Sequence, residues 1–368
     1  MEKGFWSSVF TLVGVTVGAG IFGLPYVIAK AGFLTSLLML IVLGCTICFV
    51  SLCLGEVVLR TKGKHQLSGL GKKYLPVHAR LVLILAVFIS IYGALFAYLL
   101  GAGEVLSSLI GINADLASWL FFFLLAIVLL FNLKVIEKIE NIFTPLKIIC
   151  AVLLSLAALP LINANNLTEF SFSKLLIPYG VILFSYLGIS AIPEMAAELK
   201  SKKELDKAIK VGVFISGGVY FLYGLALVGV FGVNQIEVST LSLSSLGVFF
   251  FIFGNIFALL ALGTAFMTLG FALKDNLTLD LKQKPLTAWA LVLALPALLL
   301  LLKVNSFVKV LEWSGVLGGG FILLSILWMH HVVKKKGERK PEYFIKDLNW
   351  VKVLIAVLII IGIVYQLM

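Results

Sequence analysis

Apolar residues run along this chain in long stretches, broken by a few charged residues or by glycine, proline and asparagine. A hydrocarbon layer roughly 30 Å thick takes about 20 apolar residues of helix per crossing. The runs therefore predict eleven helical spans, at residues 6–29, 34–59, 81–109, 116–133, 142–163, 174–195, 208–232, 245–273, 286–302, 306–331 and 349–367. They neither alternate with polar residues nor stop after about ten, which sets a β-barrel aside. The ninth run is short and would also suit a re-entrant segment.

Composition makes lipid the expected solvent. Of 368 residues, 61% are hydrophobic and only 13% charged, and the mean hydropathy of +1.12 lies far outside the soluble range. The longest polar stretches, 60–80 and 334–348, are too short to bury a core, so residues 1–368 read as a single transmembrane domain. The segment 60–80 reads as a mobile or amphipathic loop.

Net charge, +11, would suggest nucleic acid in a soluble protein, but its distribution reads as topology. With the amino terminus inside, Lys3 and the segments Arg60 to Arg80, Lys134 to Lys147, Lys200 to Lys210, Lys274 to Lys284 and Lys334 to Lys352 all face the cytoplasm. Only Lys30, Lys174, Lys303 and Lys309 of the 29 lysines and arginines fall on the other side. A plasma-membrane protein with a cytoplasmic amino terminus and, after an odd number of spans, an external carboxyl terminus is expected. No nucleic-acid partner is expected. The first run starts like a signal peptide but offers no small-x-small cleavage site, and it reads as a permanent helix. Cys45, Cys48, Cys53 and Cys150 all lie in apolar runs and read as packing residues.

Two runs carry the same interruption. Gly20-Ile21-Phe22-Gly23-Leu24-Pro25 in span 1 parallels Gly188-Ile189-Ser190-Ala191-Ile192-Pro193 in span 6. Five spans separate them, so the second copy would cross in the opposite direction, as an inverted five-plus-five repeat requires. Repeat one would cover about residues 5–163, repeat two about 174–333, and span 11, at 349–367, would be an appendage. A helix opened in mid-membrane exposes backbone groups that lipid cannot satisfy, at several kcal/mol each. Positive half-helix ends suit a carboxylate and freed carbonyls suit an ammonium or a cation, so an amino acid zwitterion fits both. The competing account is that glycine and proline merely permit a kink and close packing.

The stretch Val17-Gly18-Ala19-Gly20-Ile21-Phe22-Gly23-Leu24-Pro25-Tyr26 resembles the first-helix signature of the amino acid-polyamine-organocation superfamily. The similarity is greatest to its amino acid/auxin permease and hydroxy/aromatic amino acid permease branches. Ile91 to Tyr98 with Gly103-Glu104 in span 3, Phe184-Ser185-Tyr186 and Ile192-Pro193-Glu194 in span 6, and Phe257 to Phe266 with Lys274-Asp275 in span 8 are similar to the same branches. The resemblance implies an all-α, leucine-transporter-like fold with discontinuous helices 1 and 6. In it, spans 1, 2, 6 and 7 move against spans 3, 4, 8 and 9 in alternating access. It further implies that the backbone at Gly18, Ala19 and Gly20 holds a substrate carboxylate. Carbonyls near Thr16, Phe184 and Ser185 would take the ammonium group, Gly188 would allow close approach, and Tyr98, Tyr186 and Phe184 would serve as walls or gates. Taken singly, each aromatic is as well explained by packing.

Lys147, near the start of span 5, is costly in lipid unless it snorkels or finds partners. Some proton-coupled permeases of the resembled superfamily place a lysine on helix 5 where sodium-coupled relatives bind an ion. By that resemblance Lys147 would reach carbonyls around Gly14 and Val17. In span 8, Thr264 is followed by Ala265, where sodium-binding relatives present two adjacent hydroxyls. Protons are therefore the expected coupling ion, with sodium coupling or exchange as alternatives. Glu56, Glu104, Glu194, Glu198 and Glu312 are the other acids within runs. Small residues around the breaks and the lack of an acid beside them favour a neutral or aromatic amino acid.

A metal transporter needs ligands at the breaks, and spans 1 and 6 offer no Asp, Asn or His there. An enzyme needs clustered chemistry, whereas His65, His78, His330 and His331 are all assigned to the cytoplasmic face, with His330-His331 read as a helix end. Neither a metal nor a cofactor is expected. A non-transporting amino acid sensor would share the same site.

Overall fold

The computed structural model describes all residues except 1–3, 131–132, 280–281 and 347, and all side chains except those and 133–142, 276 and 279. Lys3, and the basic segment from Lys134 as far as residue 142, thus lie outside the described side chains. The described residues contain helices and no strand. The first apolar run forms α1 (Phe5–Thr16) and α2 (Gly20–Ala31), bent by 58° at the break between them. Gly32, at φ +92°, turns the chain straight into α3 (Phe33–Leu59), a conformation that other residues rarely take.

Next come α4 (Leu67–Tyr74), α5 (Val77–Ile110) and α6 (Ala114–Val128). α4 is the amphipathic part of the 60–80 segment, with Leu67, Leu70 and Tyr74 buried. α5 ends on left-handed Gly111, at φ +72°, and α6 starts on Asn113, whose side chain accepts the Asp115 N–H at 2.8 Å. α7 (Leu133–Ala158) is followed by short 3-10 turns and then by α8 (Tyr179–Ser185) and α9 (Ile192–Glu198). The rest of the chain forms α10 (Leu205–Phe231), α11 (Val248–Leu279), α12 (Pro285–Leu301), α13 (Phe307–Trp313), α14 (Gly320–Lys336) and α15 (Asn349–Leu367).

Eight of these helical stretches are long and apolar enough to cross a membrane, and the bent pair α1–α2 makes a ninth. α6 and α12, of 15 and 17 residues, are shorter apolar helices where runs four and nine were expected. Outward-facing side chains include Leu85, Phe214 and Val353, at 61%, 82% and 62% exposure. An apolar outer surface of this kind needs lipid around it, so the protein is a multi-pass helical membrane protein. Run ten forms one span, Phe307–Lys336, with a local widening inside it. Ser314–Gly319 forms a π-helical segment between α13 and α14, where Gly315 sits against the backbone of Gly180 and Phe184 and Gly318 against Ser90. A glycine-rich stretch holds the α-helical ladder weakly, and tight packing there selects the wider turn.

Residues 338–345 cross the ends of α3 and α14 as a strap. Glu56, with a fully buried side chain on α3, accepts from Arg60 Nε at 2.8 Å and from the Ile345 N–H at 2.7 Å, and its Oε2 lies 2.9 Å from His330 Nε2. The carboxylate only accepts, so His330 carries its proton on Nε2. His330, near the end of α14, is thus a buried partner of Glu56. Tyr343 Oη donates to Leu52 O at 2.7 Å, and Lys334 Nζ holds Ile345 O at 2.7 Å. Glu338 accepts the Lys62 N–H at 2.6 Å and pairs with Lys73, and these two contacts hold its carboxyl below the usual range.

Candidate functional site

Both interruptions read from the sequence are breaks in the helix, and they are built alike. Val17, at φ −80° and ψ 81°, makes an inverse γ-turn closed by Gly18 N–H donating to Thr16 O at 2.9 Å. In the second break Gly188 N–H donates to Tyr186 O at 2.7 Å, the same i to i−2 pattern. A tighter helical turn follows each, through Phe22 N–H to Ala19 O and Ala191 N–H to Gly188 O, both at 3.0 Å. The first turn thus matches Gly18 with Gly188, two residues away from the Gly20–Gly188 register read from side chains, and the turn after it matches Ala19 with Gly188.

The breaks interlock. A Cβ on Gly20 would overlap Ser185, and a Cβ on Gly188 would overlap the Thr16 hydroxyl, so each glycine lets its neighbour's half-helix end approach. Thr16 and Ser185 are the last residues of α1 and α8, where carbonyls without helical partners carry the negative end of the helix dipole. Both carbonyls converge on one group. The hydroxyl of Tyr220, a fully buried residue on α10, lies 2.7 Å from Thr16 O and 2.6 Å from Ser185 O. A phenol has one proton for these two acceptors.

On the other side of the first break, the N–H groups of Ala19 and Gly20, at the start of α2, have no acceptor among the described residues. Tyr98, buried on α5, brings its hydroxyl to 3.5 Å from where a Gly18 Cβ would stand, and that hydroxyl has no hydrogen-bond partner among the described residues either. Donors without acceptors thus sit at the start of α2, and at the end of α8 Ser185 O depends on a phenol proton shared with Thr16 O, which also accepts the Gly18 N–H.

Phe184 packs its backbone on Gly315, and its carbonyl accepts the Leu187 N–H at 3.0 Å. Tyr186 meets the Tyr220 ring edge-on at 5.4 Å, and its hydroxyl wedges between Gly44 of α3 and Gly217 of α10. A Cβ on Gly14 would press on Thr144 of α7 at 2.7 Å, and Lys147, one turn further along α7, is buried at 4% exposure, so it does not snorkel into water. Val17 is buried within the first turn. The Thr264 hydroxyl turns back to Leu260 O at 2.8 Å and Ala261 O at 3.1 Å on its own helix, α11. Glu198 accepts from the Thr11 hydroxyl at 2.9 Å.

Two polar residues of the interior escaped the sequence reading. Tyr220 lies in an apolar run with nothing polar beside it to single it out. Asn255, fully buried on α11, leaves both its amide oxygen and nitrogen without a partner among the described residues. A buried amide in that state is costly unless something enters to pair it, and a lone Asn in a run of Phe and Ile was a readable signal. Cavities of about 420 Å³ and 160 Å³ lie away from the breaks, the first beside Lys335 and the second beside Glu169.

A model of the tryptophan/tyrosine permease family matches residues 1–368. The chain belongs to that family. Among its relatives, Glutamine transporter 2 of Aliivibrio fischeri is 23% identical over 333 residues, covering 86% of each chain. The low affinity tryptophan permease of Proteus vulgaris is 24% identical over 60% of this chain and 56% of its own. Tyrosine-specific transport system 1 of Haemophilus influenzae is 26% identical over 62% of this chain and 58% of its own. These are amino acid permeases and not enzymes, in line with the superfamily resembled by span 1.

Proposed function

We propose that this permease carries neutral or aromatic amino acids across the plasma membrane by alternating access, with protons as the coupling ion. The observation that carries the reading is the convergence of Thr16 O and Ser185 O on one buried hydroxyl, beside the unpaired N–H groups of Ala19 and Gly20. An ammonium would add donors to Thr16 O and Ser185 O, which share one phenol proton, and a carboxylate would accept from the start of α2, where the dipole favours it. Tyr98 would donate to the same carboxylate, with Phe184, Tyr186 and Gly188 shaping the rest of the site.

The matched turns at Gly18 and Gly188 support an inverted five-plus-five repeat with α15 as its appendage. Lys147, buried one turn from the Thr144–Gly14 contact, is the residue we assign to proton coupling around Gly14 and Val17. Thr264 satisfies its hydroxyl on its own helix and is followed by Ala265, which counts against a sodium site. The distribution of basic segments supports a cytoplasmic amino terminus and an external carboxyl terminus. The test is uptake and counterflow in proteoliposomes for the twenty amino acids, at two pH values with and without sodium. Acid-stimulated, sodium-independent counterflow of a neutral or aromatic amino acid is expected. Tight binding without counterflow of any amino acid would instead make the protein a sensor.

A further inference from the structure

The larger cavity, about 420 Å³, opens between the last turns of α14 and the turn that joins α4 to α5. Lys73, Lys335 and Lys336 line it beside His331, together with the apolar Leu75, Pro76 and Val332. Lys73 is already matched by Glu338, 3.1 Å from its ammonium, and Lys334 by Ile345 O. Lys335, Lys336 and His331 are exposed and have no acceptor among the described residues. A surplus of positive charge therefore faces a half-apolar cleft.

The position adds a second constraint. Trp328, 50% exposed, lines the same cleft one turn before His331, where the apolar run of α14 gives way to Lys334-Lys335-Lys336. Tryptophan beside a lysine cluster marks the depth of lipid headgroups, and an anion held there has apolar walls for whatever is attached to it. A free phosphate would use the lysines and leave the apolar residues bare, whereas an amphiphile uses both. Lysines in the last helical turn also offset the carbonyl dipole, but that role needs neither the cleft nor the tryptophan.

We propose that this cleft binds the phosphate of an anionic phospholipid, with Lys335 and Lys336 on the phosphate and Trp328 and Val332 against the glycerol and first methylenes. Juxtamembrane lysines each add to such binding, and losing two weakens it about thirtyfold. The experiment titrates phosphatidylglycerol, phosphatidylcholine and inorganic phosphate into the full chain in neutral detergent and reads the thermal unfolding midpoint. Phosphatidylglycerol alone should raise the midpoint of the natural protein. The double variant Lys335→Gln/Lys336→Gln should need about thirty times more of it, whereas Lys203→Gln/Lys207→Gln, an equal charge change on exposed residues elsewhere, should respond like the natural protein. An unchanged response in Lys335→Gln/Lys336→Gln, an equal loss in the control, or an equal rise with inorganic phosphate would each overturn the assignment.

Discussion

Replacing Tyr220 by Phe removes one oxygen from the centre of the candidate site and leaves the ring, with its edge-on contact to Tyr186 at 5.4 Å, in place. The two carbonyls do not suffer equally. Thr16 O keeps the Gly18 N–H at 2.9 Å, whereas Ser185 O has no other donor among the described residues. The loss is therefore that of one buried, unsatisfied acceptor, about 1–3 kcal/mol. Expressed wholly in binding, this is a factor of about 5 to 150 in Kd. The hydroxyl holds both carbonyls in the orientation an ammonium needs, so Tyr220→Phe should weaken amino acid binding by an amount in that range. Deamino analogues, which never engage the carbonyls, should bind both proteins alike. Isothermal titration of a transported amino acid and its deamino analogue, with unfolding midpoints measured alongside, separates site from scaffold. Equal affinity for the amino acid in both proteins, or an equal loss for the deamino analogue, would refute the reasoning.

Four other outcomes follow from the geometry. Gly188→Ala drives a Cβ into Thr16 and to 2.9 Å from Leu12, and this overpacking should cost about 1–3 kcal/mol of stability and depress uptake, read by thermal unfolding and liposome transport. Glu56→Ala strands Arg60, His330 and the Ile345 N–H around a buried gap and should cost about 3–5 kcal/mol, with proteolysis of the strap at 338–345 appearing first. Lys147→Ala should abolish the pH dependence of uptake in a folded protein, and undiminished acid stimulation would remove the lysine from the coupling step. Because the Glu338 carboxyl is held below its ordinary range, its stabilising effect is present above the unfolded value and is lost as pH falls through the lowered one. The difference in unfolding midpoint between the natural protein and Glu338→Gln should accordingly be largest near neutral pH, shrink in acid and shrink with added salt.

The apolar runs foretold the helices because lipid leaves the backbone no alternative to satisfying itself within each run. The breaks were legible for the same reason: Gly18, Gly20, Gly188 and Pro193 are residues that an uninterrupted helix has no use for. Side chains that act from a distance in sequence left no comparable trace. Tyr220 joins the two breaks from a run whose periodicity says only that it is buried, and Glu56 needed His330 and Ile345, more than 270 residues away, before its burial made sense. The two-residue offset between the side-chain and backbone matches carries the same lesson one level down. Side-chain similarity paired Gly20 with Gly188 because both precede an apolar step and a proline, but the turn that frees the carbonyls closes on the Gly18 N–H in one copy and the Gly188 N–H in the other. What the two breaks share is thus a way of ending a half-helix on a carbonyl that meets the Tyr220 hydroxyl. A substrate that answers both ends needs opposite charges a few bonds apart, and an α-amino acid is the simplest molecule that has them.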